Sequence, residues 1–109
     1  MAHYLLQAVY TSETWAAQVS HPQNRIEVIR PVIERLGGHF ECAYLAFGEY
    51  DVIGIMEMPD NVSAAAFSLA TSAGGALKAI KTTPLLTVEE GIAAMQQAAG
   101  AGYRPPGRS

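Results

Sequence analysis

Apolar residues along this chain recur at two spacings, one suited to strands and one to helices, in successive short blocks. Tyr4 to Tyr10 is apolar and followed at once by a helix-start signal, which predicts a first strand. Thr11 or Ser12 then caps a helical segment, with Glu13 in the first turn where the helix dipole favours an acid. Trp15, Ala16 and Val19 give that segment a short apolar stripe, and Ser20-His21-Pro22 breaks it. Ile26, Ile29, Ile33 and Leu36 follow at helical spacing and predict a longer helix. Pro31 sits inside it and predicts a kink, because its nitrogen cannot donate to the carbonyl of Glu27. Gly37-Gly38 ends it, one glycine supplying the left-handed turn.

Two strands come next, His39 to Phe47 and Tyr50 to Met58, joined by Gly48-Glu49 as a two-residue hairpin loop. Pro59-Asp60-Asn61 opens a helix of small residues from Val62 to about Ser72, stopped by Gly74-Gly75. Leu77 to Leu85 is the fourth strand. Thr87-Val88-Glu89-Glu90 has the spacing of a capping box and starts a last helix through Ile92 and Met95. Residues 1–99 therefore form a single domain, and 100–109 a flexible C-terminal tail. The order β-α-β-β-α-β with an additional C-terminal helix predicts an α+β, ferredoxin-like fold: a four-stranded antiparallel sheet with its helices on one face.

Alternation sorts the hairpin into two faces. One carries Glu41, Ala43, Leu45, Phe47, Tyr50, Val52, Gly54 and Met56; its small central residues suit helix packing. The other carries Phe40, Cys42, Tyr44, Asp51, Ile53, Ile55 and Glu57, with Phe40 expected opposite Glu57. No helix in this topology covers that second face. An apolar patch of that size is unusual on a monomer, which predicts a partner subunit laid sheet against sheet.

Composition sharpens the expectation. Half of the 109 residues are hydrophobic and 16% are charged, below the roughly 25% usual in soluble domains. A net charge of −3 leaves no basic stripe for nucleic acid or an anionic membrane. No stretch approaches the roughly 18 apolar residues of a membrane span. Between Leu36 and Leu77 lie Glu41, Glu49, Asp51, Glu57 and Asp60 with no Lys or Arg, so this region carries a negative local field. The single cysteine, Cys42, excludes an internal disulfide and fits a reducing compartment. Met-Ala-His-Tyr-Leu-Leu-Gln lacks the pattern of a secretory signal, so a cytoplasmic location is expected.

Three segments carry a family resemblance: Phe47-Gly48-Glu49-Tyr50-Asp51, Pro59-Asp60-Asn61-Val62-Ser63-Ala64-Ala65 and Lys81-Thr82-Thr83-Pro84-Leu85-Leu86-Thr87. Tyr10-Thr11 with Trp15, and Leu36-Gly37-Gly38, add to it, whereas His39 departs from it. Over residues 4 to 98 the chain resembles the GYD-domain family, small bacterial α/β proteins whose biochemical role is largely unassigned. The resemblance implies kinship with dimeric α/β barrels, in which two ferredoxin-like sheets face each other around a cavity. A homodimer or higher homo-oligomer with a small-molecule ligand is the resulting expectation. By analogy of fold alone, related barrels imply metal-free isomerase, cyclase or oxygenase-like chemistry on a small aromatic or anionic compound. The alternative is a non-catalytic oligomeric module for ligand binding or interaction.

Candidate residues follow from that open face. Asp51 and Glu57 share it as proton-transfer groups, although at opposite ends of a strand their backbones lie about 20 Å apart. Capping of the hairpin by Asp51 and solvation of Glu57 are the competing readings. Tyr44, central on the face, is a hydrogen-bond donor for developing negative charge or else interface packing. Lys78 and Lys81 flank Ala79-Ile80 and point to opposite faces, and Lys81 is the first choice for an anionic ligand. Tyr10 and Trp15 are placed at one mouth of the cavity. Cys42, beside Ile55, has no evident base and is expected to be inert. His3, His21 and His39 lack mutual ligand spacing, so neither a protein-built metal site nor a cofactor is expected.

Overall fold

Each helix begins where a side-chain oxygen can satisfy free backbone N–H groups, and these caps fix the helix starts. The computed structural model describes residues 1–107. Strand β1 (Ala2–Tyr10) leads into helices α1 (Ser12–Ser20) and α2 (Arg25–Arg35). Strands β2 (His39–Leu45) and β3 (Val52–Met58) follow, then helix α3 (Asn61–Ala73), strand β4 (Leu77–Leu85) and helix α4 (Val88–Ala99). Thr11 caps α1, accepting from Thr14 N at 3.1 Å. Asn24 Oδ1 caps α2, accepting from Ile26 N at 3.1 Å. Asp60 Oδ1 caps α3, accepting from Ser63 N at 2.8 Å. Thr87 and Glu90 form a reciprocal capping box on α4. Helix α2 continues through Pro31 to Arg35, and Gly37, at φ +89°, adopts the left-handed conformation beyond its end.

The strands form one open antiparallel sheet in the order β2-β3-β1-β4, which with four helices makes an α+β fold. Helices α2 and α3 pack on one face. There Tyr4, Leu6, Ile33, Phe40, Met56, Met58, Ala64 and Phe67 form the core. Phe67 is 1% exposed, and burying such a side chain contributes on the order of 1.5–3 kcal/mol. The β2–β3 pair closes tightly at Gly54, where an added Cβ would lie 2.7 Å from the Cys42 carbonyl oxygen.

Three expectations about the hairpin are corrected. First, the connection is not two residues long. Strand β2 ends at Leu45 and β3 begins at Val52, so residues 46–51 form the loop, closed by a 2.8 Å bond from Ala46 N to the Asp51 carbonyl. The Asp51 amide also donates to Ala8 O, which draws that end of the loop toward β1. Second, the register matches expectation from Leu45–Val52 to Cys42–Ile55, then shifts at a bulge. Glu41 is the extra residue, so Phe40 lies opposite Met56 rather than Glu57 and is buried under the helices. The same bulge puts Glu41 on the uncovered side, the reverse of its expected placement. Third, Leu45 and Phe47 are exposed rather than packed under the helices.

The second face carries His3, Leu5, Gln7 and Val9 of β1 and Ile53, Ile55 and Glu57 of β3. From β2 come Glu41, Cys42 and Tyr44, and from β4 Ala79, Lys81, Thr83 and Leu85; none of these residues is buried. Helix α4 also buries no residue, and exposes Val88, Ile92 and Met95 on one stripe. Beyond Gly100, residues 101–107 form no helix or strand, and the last two residues of the expected tail lie outside the described residues. Among the described residues, no helix is long and apolar enough to cross a membrane.

Candidate functional site

Strand register brings together residues far apart in sequence. His3 lies opposite Glu57 across β1–β3, and His39 lies opposite Glu57 across β3–β2. The three side chains therefore stand in one row across the sheet at the end near the start of β1. His39 Nε2 is 2.7 Å from Glu57 Oε2, and His3 Nε2 is 3.4 Å from Glu57 Oε1. The bulge adds Glu41, whose Oε1 is 2.7 Å from His3 Nδ1. Glu57 is the most sheltered member, with a side chain 21% exposed against 29% for His3 and 32% for Glu41. A carboxylate that orients an imidazole is the arrangement used to hold a general base or a metal ligand in place.

Of the residues proposed from sequence, Glu57 alone joins this row. Tyr44 stands on the same face opposite Ile53 and is 71% exposed. Lys81 lies opposite Gln7 on that face and is exposed. Lys78 is also exposed, where the β1–β4 register shifts between Val9 and Tyr10.

Asp51 has a different setting from the one expected. Its Oδ2 accepts from Tyr10 N at 2.9 Å and from Trp15 Nε1 at 3.0 Å. Trp15 meets the Tyr10 ring edge to face, with centroids 5.2 Å apart. Asp51, Tyr10 and Trp15 thus lock the β1–α1 corner to the hairpin loop, a structural role different from the hairpin cap weighed for Asp51. Burial pushes the Tyr10 hydroxyl pKa up; the Arg25 charge opposes this and the Asp51 charge adds to it.

Sequence reasoning missed His3, His39 and Glu41 as a group. Their signal was topological, because only the β1–β3–β2 pairing makes neighbours of positions 3, 39, 41 and 57. A second feature also escaped notice: a cavity of about 280 Å³ between the covered sheet face and helices α2 and α3. Leu6, Phe40, Phe67 and Ile80 help line it, and Arg25 is the one charged residue on its wall among those described.

Fold and site together define a small α+β protein with one uncovered antiparallel sheet face and a polar row at one end of it. The chain belongs to the GYD domain family, whose model matches residues 4–95. No curated protein and no solved structure matches it.

Proposed function

We propose that the protein is a homodimer, or an oligomer of dimers, built by laying two open faces against each other as a dimeric α/β barrel around a small-molecule site. One observation carries the reading: no residue on the second face is buried, although Leu5, Val9, Ile53, Ile55 and Tyr44 lie there. The strand order β2-β3-β1-β4 supports a ferredoxin-like domain, the unit from which such barrels are assembled. The apolar stripe of α4 is a further surface for a partner to cover. In the cavity between sheets, the His3–Glu57–His39 row and Glu41 supply proton-transfer groups, and Tyr44 and Lys81 face an anionic centre.

Native mass spectrometry at micromolar concentration tests this, with a dimer or its multiple and a retained small molecule as the expected result. A stable monomer overturns the reading. The helix-side cavity favours a second reading, a non-catalytic protein that binds a small apolar anion against Arg25 within each subunit. A retained molecule lost from Arg25→Ala but kept by Glu57→Gln assigns binding to that cavity instead.

A further inference from the structure

We infer that His3, Glu41 and Glu57, with His39 positioning the second carboxylate oxygen of Glu57, hold a divalent transition-metal ion of the zinc, iron(II) or manganese(II) class. The inference rests on the preceding reading only in taking the open face as the functional surface, and it makes these groups ligands in place of proton-transfer groups. All of the donors come from one chain, so the ion does not require the paired sheets.

Donor chemistry is the first argument. A neutral imidazole has one N–H and one lone pair, so it can donate to only one carboxylate. His3 has a carboxylate oxygen against each nitrogen, Glu41 Oε1 at 2.7 Å and Glu57 Oε1 at 3.4 Å. With the imidazole neutral, one of those approaches sets lone pair against lone pair. A cation bound at one nitrogen relieves that clash, as a second proton on the ring would, while the other nitrogen keeps its N–H for a carboxylate.

Geometry and charge agree with this. Ligating atoms of His3, Glu41 and Glu57 all lie within 4.8 Å of one another. Bonds of roughly 2.0–2.2 Å to a shared ion draw ligand atoms to about 3.3 Å in a tetrahedron, within reach of small side-chain rotations. Two carboxylates and two neutral imidazoles give a charge of −2, which a dication cancels. Imidazole nitrogens mixed with carboxylate oxygens favour a borderline transition metal over calcium or magnesium, which take oxygen ligands. The ligands sit on three hydrogen-bonded strands, and Glu41 arrives through a β-bulge, a device that re-aims side chains beside functional sites.

Untagged protein stripped with a chelator and titrated with Co²⁺ gives the test. One equivalent per chain should bind, with visible d–d absorption, and Zn²⁺ should displace it. His3→Ala and Glu57→Gln should each weaken binding by about 100-fold or more, and His39→Ala by about tenfold. His21→Ala, outside the row, should change nothing. If Glu57→Gln fails to fold, as read by far-ultraviolet circular dichroism, the exposed Glu41→Gln replaces it with the same expectation. Absence of saturable Co²⁺ binding overturns the inference, as does binding that survives His3→Ala and Glu41→Gln. Light scattering on the same samples separates the two proposals: one Co²⁺ on a monomer refutes the pairing and keeps the ion, while a dimer without Co²⁺ does the reverse.

Discussion

On the covered face of the sheet, Tyr4, Met56 and Met58 have almost no exposed surface, nor has Phe67 of α3 above them, whereas on the open face no residue is buried and charged groups gather at one end. The same strands serve both faces, alternating residue by residue. The covered side is specified by volume, because helices α2 and α3 must close over it. The open side carries no such constraint from its own chain, since no helix closes over it. Stability and function therefore separate along β3: Val52, Gly54, Met56 and Met58 hold the fold together, while Ile53, Ile55 and Glu57 are free to meet something else.

The largest expected effect comes from the covered side. Phe67→Ala should cost about 3–5 kcal/mol in urea denaturation, combining lost transfer energy with a cavity. A loss below about 1 kcal/mol would mean that the helices collapse around the gap and do not define the core as described. The corner residue comes next. Asp51→Ala leaves the Tyr10 amide and the Trp15 indole without their acceptor and should cost about 1–3 kcal/mol, with a red shift in Trp15 emission. Unchanged emission and stability would return Asp51 to the list of functional candidates.

Ile55→Glu should break the comparison in the other direction. It should leave the stability of the isolated chain within about 0.5 kcal/mol, as surface changes do, yet abolish the proposed dimer in sedimentation. A dimer that persists means the open face is not the paired one.

The smallest effect is on acid stability. Backbone N–H groups donated by Ser63 and Thr87 hold the Asp60 and Glu90 carboxyls below their ordinary pKa. A folded pKa that is depressed makes the unfolded chain the stronger proton binder, so the contribution is complete above the ordinary carboxylate value. It is lost as pH falls through the folded value. Denaturation midpoints measured on either side of about pH 4 should show a shallower pH slope in Asp60→Ala/Glu90→Ala than in the parent chain. An unchanged slope would show that neither cap contributes to acid stability.

Much of the fold was legible because local signals and periodicity agreed. Strand β4 has the bounds that its pattern predicted, and the Thr87–Glu90 box starts α4 where its spacing indicated. The hairpin loop was misjudged because Gly48-Glu49 looks like a tight turn, whereas the Asp51 backbone and carboxylate are committed to β1 and α1. The Glu41 bulge carried a weak signal that went unused. Unbroken alternation placed an aromatic, Phe40, outward and an acid, Glu41, under the helices, and such a clash between pattern and burial marks an irregular step. The polar row had no local signal at all, because its members become neighbours only through β1–β3 and β2–β3 pairing.

The extra residue in β2 also has an evolutionary consequence. Since Phe40 already lies opposite Met56 and Cys42 opposite Ile55, loss of codon 41 would restore an unbroken ladder with both neighbours in place. An in-frame deletion or insertion of three nucleotides can thus remove or install a charged ligand without re-registering the hairpin. If the proposed ion binds, its acquisition or loss needs no rebuilding of the architecture.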